Sequence, residues 1–210
     1  MKVLVACEYS GVVRDAFLAL GHDAWSCDLL PTESPGPHYK GDVRDILERG
    51  WDLMIAHPPC TYLSNAGARF LYPKGKLNRA RLKLGMEGRK FFMELWDADI
   101  PRIAIENPTP STIYNLPRYY QVIQPYEFGH PVQKRTCLWL KGLPPLKPTR
   151  IVSGATSTKR SPWFNKGGKD RQKNRAKTFE GIAKAMAIQW GRLEEEDKIE
   201  QENLRKADYV

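Results

Sequence analysis

The chain predicts an α/β fold with a mostly parallel sheet flanked by helices. Three observations carry this. Short apolar runs of strand type recur at residues 2–7, 23–27, 51–56 and 100–105, and helical periodicity or polar loops separate them. The chain opens in the order strand, tight turn, helix, strand, acid, which is how a nucleotide-binding α/β unit begins. Two of the runs end in an ionisable side chain followed or preceded by proline, Cys60 after Pro58-Pro59 and Glu106 before Asn107-Pro108. In open α/β sheets the carboxyl ends of the strands are where ligands bind.

The first strand, residues 2–7, carries Val3, Leu4 and Val5. It lacks the length and cleavage site of a signal peptide. A turn at Glu8-Tyr9-Ser10-Gly11 follows, and Ser10 is positioned to cap a helix over residues 12–20 that Gly21 stops. The second strand, 23–27, leads to Asp28. A carboxylate there fits two roles, accepting both hydroxyls of a ribose or capping the turn before Pro31. Residues 30–39 form a Pro-rich loop. Gly41-Asp42-Val43 opens a short helix through Leu47, for which Asp42 is a natural N-cap.

Residues 51–56 are the strand that runs into His57-Pro58-Pro59-Cys60. Two prolines fix two backbone dihedrals and push the residues before them out of helical space. Cys60 is therefore held at a defined place, which suits a nucleophile and equally a buried structural thiol. Residues 61–72 read as a polar loop over a site. Residues 76–98 read as one long helix with a basic, solvated first half and a core face of Leu84, Phe91 and Leu95. The strand at 100–105 ends in Glu106, which fits a reactive acid or a cap. Further strands are expected at 121–128 and 136–140, and Thr178 should cap a helix through Trp190.

Composition sets the surroundings of this framework. The 210 residues suit one domain, assigned here to residues 1–193, with a charged tail at 194–210. No apolar run is long enough to span a membrane. Cys7, Cys27, Cys60 and Cys137 are scattered, which argues against a disulfide framework or structural zinc and fits a reducing, cytoplasmic setting. The formal net charge of +9 predicts attraction to polyanions. It is concentrated in the basic loop 148–177, where Lys159, Arg160, Lys166, Lys169 and Arg171 interleave with Trp163 and Phe164. Cations among aromatics suit phosphate contact with base stacking; the alternative is a solvated basic loop with no partner.

Taken in order, these motifs resemble the cytosine carbon-5 DNA methyltransferases. Pro58-Pro59-Cys60 resembles the family's catalytic loop, with Ala66-Gly67 after it. Glu106-Asn107 resembles its Glu-Asn pair, and Gln133-x-Arg135 the start of its Gln-x-Arg-x-Arg strand. Gly41-Asp42-Val43 resembles the Gly-Asp-Ile that meets the cofactor's adenine. The resemblance implies a Rossmann-like, S-adenosylmethionine-dependent methyltransferase fold. It implies cofactor binding by Glu8, Tyr9, Ser10, Gly11, Asp28, Asp42 and Pro58, catalysis by Cys60, Glu106 and Arg135, and DNA contact by Gln133 and the basic loop. No metal is implied. There are departures. The first loop is poor in glycine, Cys137 stands where the family's last arginine stands, and no Gly-Asn-Ser motif lies near Thr178. Only residues 148–177 stand in for a target-recognition region, so duplex DNA, single-stranded nucleic acid and free cytidine nucleotides all remain substrates to consider, as does a separate partner that reads the target.

The implied chemistry is covalent. A thiolate at Cys60 adds to carbon 6 of cytosine, making carbon 5 nucleophilic. Glu106 hydrogen-bonds or protonates ring nitrogen 3, and Arg135 stabilises the ring carbonyl. His57 or Arg135 is a candidate for the cation that lowers the thiol's pKa. Three rivals stand beside this reading: an amino-group methyltransferase, a non-catalytic nucleic-acid-binding relative, and a metal enzyme using His57 and Cys60.

Overall fold

A computed structural model describes residues 1–157 and 177–193. Among these residues, nine strands are β1 (Lys2–Ala6), β2 (Asp23–Asp28), β3 (His38–Lys40), β4 (Leu53–Ala56), β5 (Arg102–Asn107), β6 (Gln121–Ile123), β7 (Val132–Gln133), β8 (Thr136–Lys141) and β9 (Thr156–Ser157). The helices among them are α1 (Val12–Leu18), α2 (Asn65–Ala68), α3 (Arg79–Trp96) and α4 (Glu180–Gly191). Seven strands form one sheet in the order β3-β2-β1-β4-β5-β8-β6, and β7 pairs with β9 beside it. All neighbours from β3 to β5 are parallel, while β8 runs antiparallel to both β5 and β6. The expected α/β fold with a mostly parallel sheet is therefore present.

The central strands are apolar along their whole length because helices cover both faces. Val3, Val5, Leu53, Ile55, Ala104 and Leu138 face α1 and α4, meeting Phe17, Met186 and Trp190. Leu4, Ala6, Met54, Ile103, Ile105 and Trp139 face α3, meeting Phe92 and Leu95. Alternate residues of each strand thus belong to opposite layers. The same alternation decides which way the residues at the strand ends point.

Several elements differ from the sequence expectation. α1 stops at Leu18, leaving Leu20 exposed, and its N-cap position is Gly11 at φ 76°, not Ser10. The helix expected after Asp42 is a single 3-10 turn, Val43–Asp45, while Asp42 does cap it. α3 starts at Arg79, and Gly85, Phe92 and Leu95 form its buried side; Leu84 is exposed. The apparent strand at 121–128 is β6 followed by a 3-10 turn, Pro125–Glu127, because Pro125 has no amide to continue a ladder. Residues 61–72 contain α2, and Phe179 takes the N-cap position expected of Thr178.

Candidate active site

Strand order reverses direction between β1 and β4, since β2 and β3 lie to one side and β5 to the other. The crevice beyond the carboxyl ends of β1 and β4 is the topological switch point of the sheet. The β1 side of it begins at Cys7, a non-glycine residue in the left-handed region at φ 59°. Glu8 then turns inward. Its buried carboxylate accepts the amides of Val13 at 2.8 Å and Arg14 at 3.2 Å, and the Ser10 hydroxyl at 3.1 Å. Negative charge against the orphan amides of a helix start is favourable, and the glutamate reaches further into them than Ser10 does. Glu8 and Ser10, both expected to hold a cofactor, are thus engaged within the fold itself.

Arg14 fixes the loop beside this turn. It is fully buried, and its guanidinium bonds the Asp15 carboxylate, the Ser26 and Thr32 hydroxyls and the Ser34 carbonyl. The loop in turn gives the Glu33 amide to the Tyr9 carbonyl at 2.8 Å. Gly11 is required here both by its φ and because a Cβ would lie 2.5 Å from the Arg14 guanidinium.

A cavity of about 230 Å³ opens at the carboxyl ends of β1, β2 and β3, lined by Cys7, Asp28, Asp42, Val43, Pro59 and Phe91 among others. Asp28 is half-buried and one oxygen takes the Leu30 amide at 2.9 Å, leaving further lone pairs toward its surroundings. Asp42 accepts the Arg44 amide at 3.0 Å and its guanidinium at 2.9 Å, and the backbone hydrogen bond above all lowers its pKa. Burial, then the Asp28 charge, raises the pKa of both thiols beside the cavity, Cys27 to about 12. Cys7 and Cys27 therefore stay protonated, and neither suits a nucleophile's role.

The loop after β4 closes the other side. The His57 amide donates to the Ala6 carbonyl at 2.9 Å, extending the β1–β4 pairing by one residue. The Pro58 carbonyl takes the Asn107 side-chain amide at 3.3 Å, Pro59 lines the cavity, and the Cys60 carbonyl takes the Ser64 amide at 3.1 Å. Cys60 itself is half-buried and in no disulfide. Behind it Gly67 packs so closely that a Cβ would lie 2.1 Å from the Thr61 carbonyl oxygen.

His57 also reaches Glu106, with Nδ1 2.9 Å from Oε2 and only 9% and 11% of the two side chains exposed. Nε2 of His57 is buried with no hydrogen-bond partner. Burial by itself would raise the Glu106 pKa. Lys134, His57 and the Thr136 hydroxyl outweigh it and hold the carboxyl at about 2. Glu106 is thus an anion at neutral pH in the structure as it stands.

Arg135 does not join this group. Register pairs Glu106 with Leu138 and Asn107 with Cys137, so Lys134 and Thr136 share the parity of Glu106 while Arg135 takes that of Asn107. Its guanidinium bonds the Thr109 hydroxyl and the Tyr119 hydroxyl, each at 3.2 Å. The cation that acts on Glu106 is Lys134. Nothing in the Gln-x-Arg pattern singles out Lys134 and Thr136, because Gln133 and Arg135 have the other parity. His57, on sequence grounds a candidate neighbour of the thiol, pairs with the carboxylate. Gln133 is exposed in β7, paired with Ser157. Lys159, Arg160, Lys166, Lys169 and Arg171 lie outside the described residues. The described chain leaves at Ser157 beside Gln133 and returns at Lys177, which is ion-paired with Glu33 next to the Tyr9 turn.

No protein-family model matches the chain, and no curated protein matches it. Among solved structures it is similar to one from E. coli described as a DNA modification methyltransferase encoded within a prophage, with 14% identity, a TM-score of 0.43, and coverage of 76% of this chain and 53% of that one. It is also similar to the Entamoeba histolytica methyltransferase EhMeth, with 15% identity, a TM-score of 0.45, and coverage of 72% and 57%. The chain therefore spans little more than half the length of either structure.

Proposed function

We propose that the chain binds S-adenosylmethionine at the switch-point crevice and transfers a methyl group to carbon 5 of cytosine in nucleic acid, with Cys60 as the covalent nucleophile. One observation carries the reading. The four residues 57–60 touch both halves of the site at once: Pro59 lines the cavity, His57 holds Glu106, and Cys60 follows directly on the same proline-locked backbone.

The cavity suits part of that cofactor. At about 230 Å³ it is smaller than the roughly 300 Å³ at which pockets for whole ligands begin, which fits an adenosine with the rest extending along the Tyr9–Gly11 turn. Asp28 would take the ribose hydroxyls, and Val43, Phe91 and Pro59 supply apolar walls for adenine beside Asp42. When bound, S-adenosylmethionine supplies the electrophilic methyl group.

The chain's own residues do the rest. The Cys60 thiolate bonds to carbon 6, and the ring double-bond electrons shift through carbon 5 toward nitrogen 3, which takes up a proton from water. Glu106 stands for nitrogen 3 and the adjacent amino group. It is charged beforehand, so it accepts from the amino group and shares the proton that arrives at nitrogen 3. Lys134 lies on the same side to offset negative charge in the ring. Once carbon 5 carries the methyl group, its proton leaves to water, that electron pair re-forms the carbon 5–carbon 6 double bond as the sulfur–carbon 6 bond breaks, and Cys60 returns as thiolate while nitrogen 3 gives up its proton.

The test is transfer of labelled methyl from S-adenosylmethionine to duplex DNA, single-stranded DNA, RNA and free cytidine nucleotides in parallel, with Cys60→Ser as control. The expected product is 5-methylcytosine, absent in the variant. Calorimetry with S-adenosylmethionine should show binding that Asp28→Ala weakens at least ten-fold. Label in the Cys60→Ser reaction would overturn the covalent route. Binding of S-adenosylmethionine unchanged in Asp28→Ala would overturn the assigned cavity.

A further inference from the structure

The segment after Cys60 carries charge and aromatic surface that the chemistry above does not use. From Thr61 to Met86 the chain has six cations, Arg69, Lys74, Lys76, Arg79, Arg81 and Lys83, and no acid. Read from sequence, most of these belong to a solvated helix face. Only Arg79, Arg81 and Lys83 lie on α3; the others precede it, in and around a short 3-10 turn, Pro73–Gly75.

The segment is a built surface. Leu63 and Leu71 are buried and anchor it. Its backbone is tied to the stretch after β5, with the Asn65 amide on the Thr109 carbonyl at 3.0 Å and the Ser111 amide on the Leu63 carbonyl at 2.7 Å. Ser64 caps α2. Arg81 bridges the segment to α3 through the Thr61 carbonyl at 3.1 Å and the Gly67 carbonyl at 3.0 Å. These bonds tie it to the two loops that hold Cys60 and Glu106.

On this surface the large side chains turn outward. Phe70 is 51% exposed and Tyr72 53% exposed, on either side of the buried Leu71. Guanidinium groups accompany the rings. Arg69 lies 4.5 Å from the Phe70 ring centroid, and Arg81 lies 5.3 Å from it and 4.8 Å from that of Tyr62. An apolar patch meant for a protein partner is usually depleted of lysine at its centre. Here two lysines, Lys74 and Lys76, follow the exposed rings directly. Rings offer stacking faces and cations offer phosphate contacts, which is the pairing that unpaired nucleotides require. A duplex hides its base faces in the stack and leaves Phe70 and Tyr72 without a partner.

We infer that Tyr62–Lys83 is a docking surface for single-stranded nucleic acid, on which nucleotides flanking the target base stack on Phe70 and Tyr72 while Lys74 and Lys76 meet phosphates. The inference deepens the function proposed above and rests on it only for placing the target base beside Cys60.

The experiment measures binding alone, without cofactor, in the full chain carrying Cys60→Ser. Fluorescence anisotropy is read with a labelled single-stranded oligonucleotide and with the duplex of the same sequence. The single strand should bind at least ten-fold tighter. Phe70→Ala with Tyr72→Ala should weaken it ten-fold or more and leave duplex binding unchanged. Lys74→Gln with Lys76→Gln should flatten the salt dependence of single-strand binding. All four residues are exposed, and circular dichroism melts should confirm an unchanged fold. Tighter duplex binding, or single-strand binding indifferent to the paired aromatic substitutions, overturns the inference. So does a self-association in sedimentation that those substitutions abolish while nucleic acid fails to bind. Methyl transfer is not measured in this experiment, so failure of the covalent reading and failure of the docking surface are told apart.

Discussion

Replacing Glu106 by Gln tests the electrostatics at the centre of the site. Glutamine keeps an oxygen that accepts from His57 and removes the charge that faces Lys134. The carboxyl is held at about 2 against an ordinary 4.5, burial opposing the shift and Lys134, His57 and Thr136 producing it. At about 1.4 kcal/mol per pH unit this is worth about 3 kcal/mol of folding stability at pH 7. The sign follows from the direction. A pKa depressed by folding stabilises above the unfolded-state value, and the stabilisation is lost as pH falls toward the folded value. The window is therefore between about pH 4.5 and pH 2, and at pH 3 roughly 2 of those 3 kcal/mol are gone. Urea unfolding of both proteins at pH 7 and pH 3 is the assay. The gap between wild type and Glu106→Gln should narrow by about 2 kcal/mol at the lower pH. A gap that stays constant would mean that the anion is not held by its neighbours, and would refute the reasoning.

Two further outcomes are read in the same unfolding assay, one at Glu106 and one at Arg14. Lys134→Met should raise the pH at which this acid-linked stability is lost, whereas Arg135→Met should leave it in place, and the same unfolding series distinguishes them; an equal effect of both would contradict the placement of Arg135 on the other parity. Arg14→Met should destabilise the chain by on the order of 3 kcal/mol in urea unfolding, because the Asp15 carboxylate and the Ser34 carbonyl lose a fully buried partner. A loss below about 1 kcal/mol would show that the 32–37 loop does not depend on it.

Much of the sheet was legible without coordinates. β1, β4, β5 and β8 are apolar runs because their strands are enclosed by neighbours or layers, and burial leaves a compositional signature. β3 left none. His38, Tyr39 and Lys40 form an edge strand paired on one side only, so nothing in their composition distinguishes them from loop. The start of α1 at Val12 was legible but its cap was not, since Glu8 accepts its first amides from outside the helix, where a local Ser10 was expected.

The sequence by itself determined the α/β class, the proline-locked positions of Cys60 and Glu106 at strand ends, and the acids at Asp28 and Asp42. Each of these is a local property, written in composition or in the dihedral restriction of a neighbouring proline. Only the tertiary structure decided which side chains meet. It paired His57 with Glu106, set Lys134 and Thr136 beside that carboxylate, and turned Arg135 toward Thr109 and Tyr119. The reason is register. A strand presents alternate residues to opposite faces, so a shift of one residue between β5 and β8 exchanges every candidate partner, and register is fixed by packing between layers far apart in the chain.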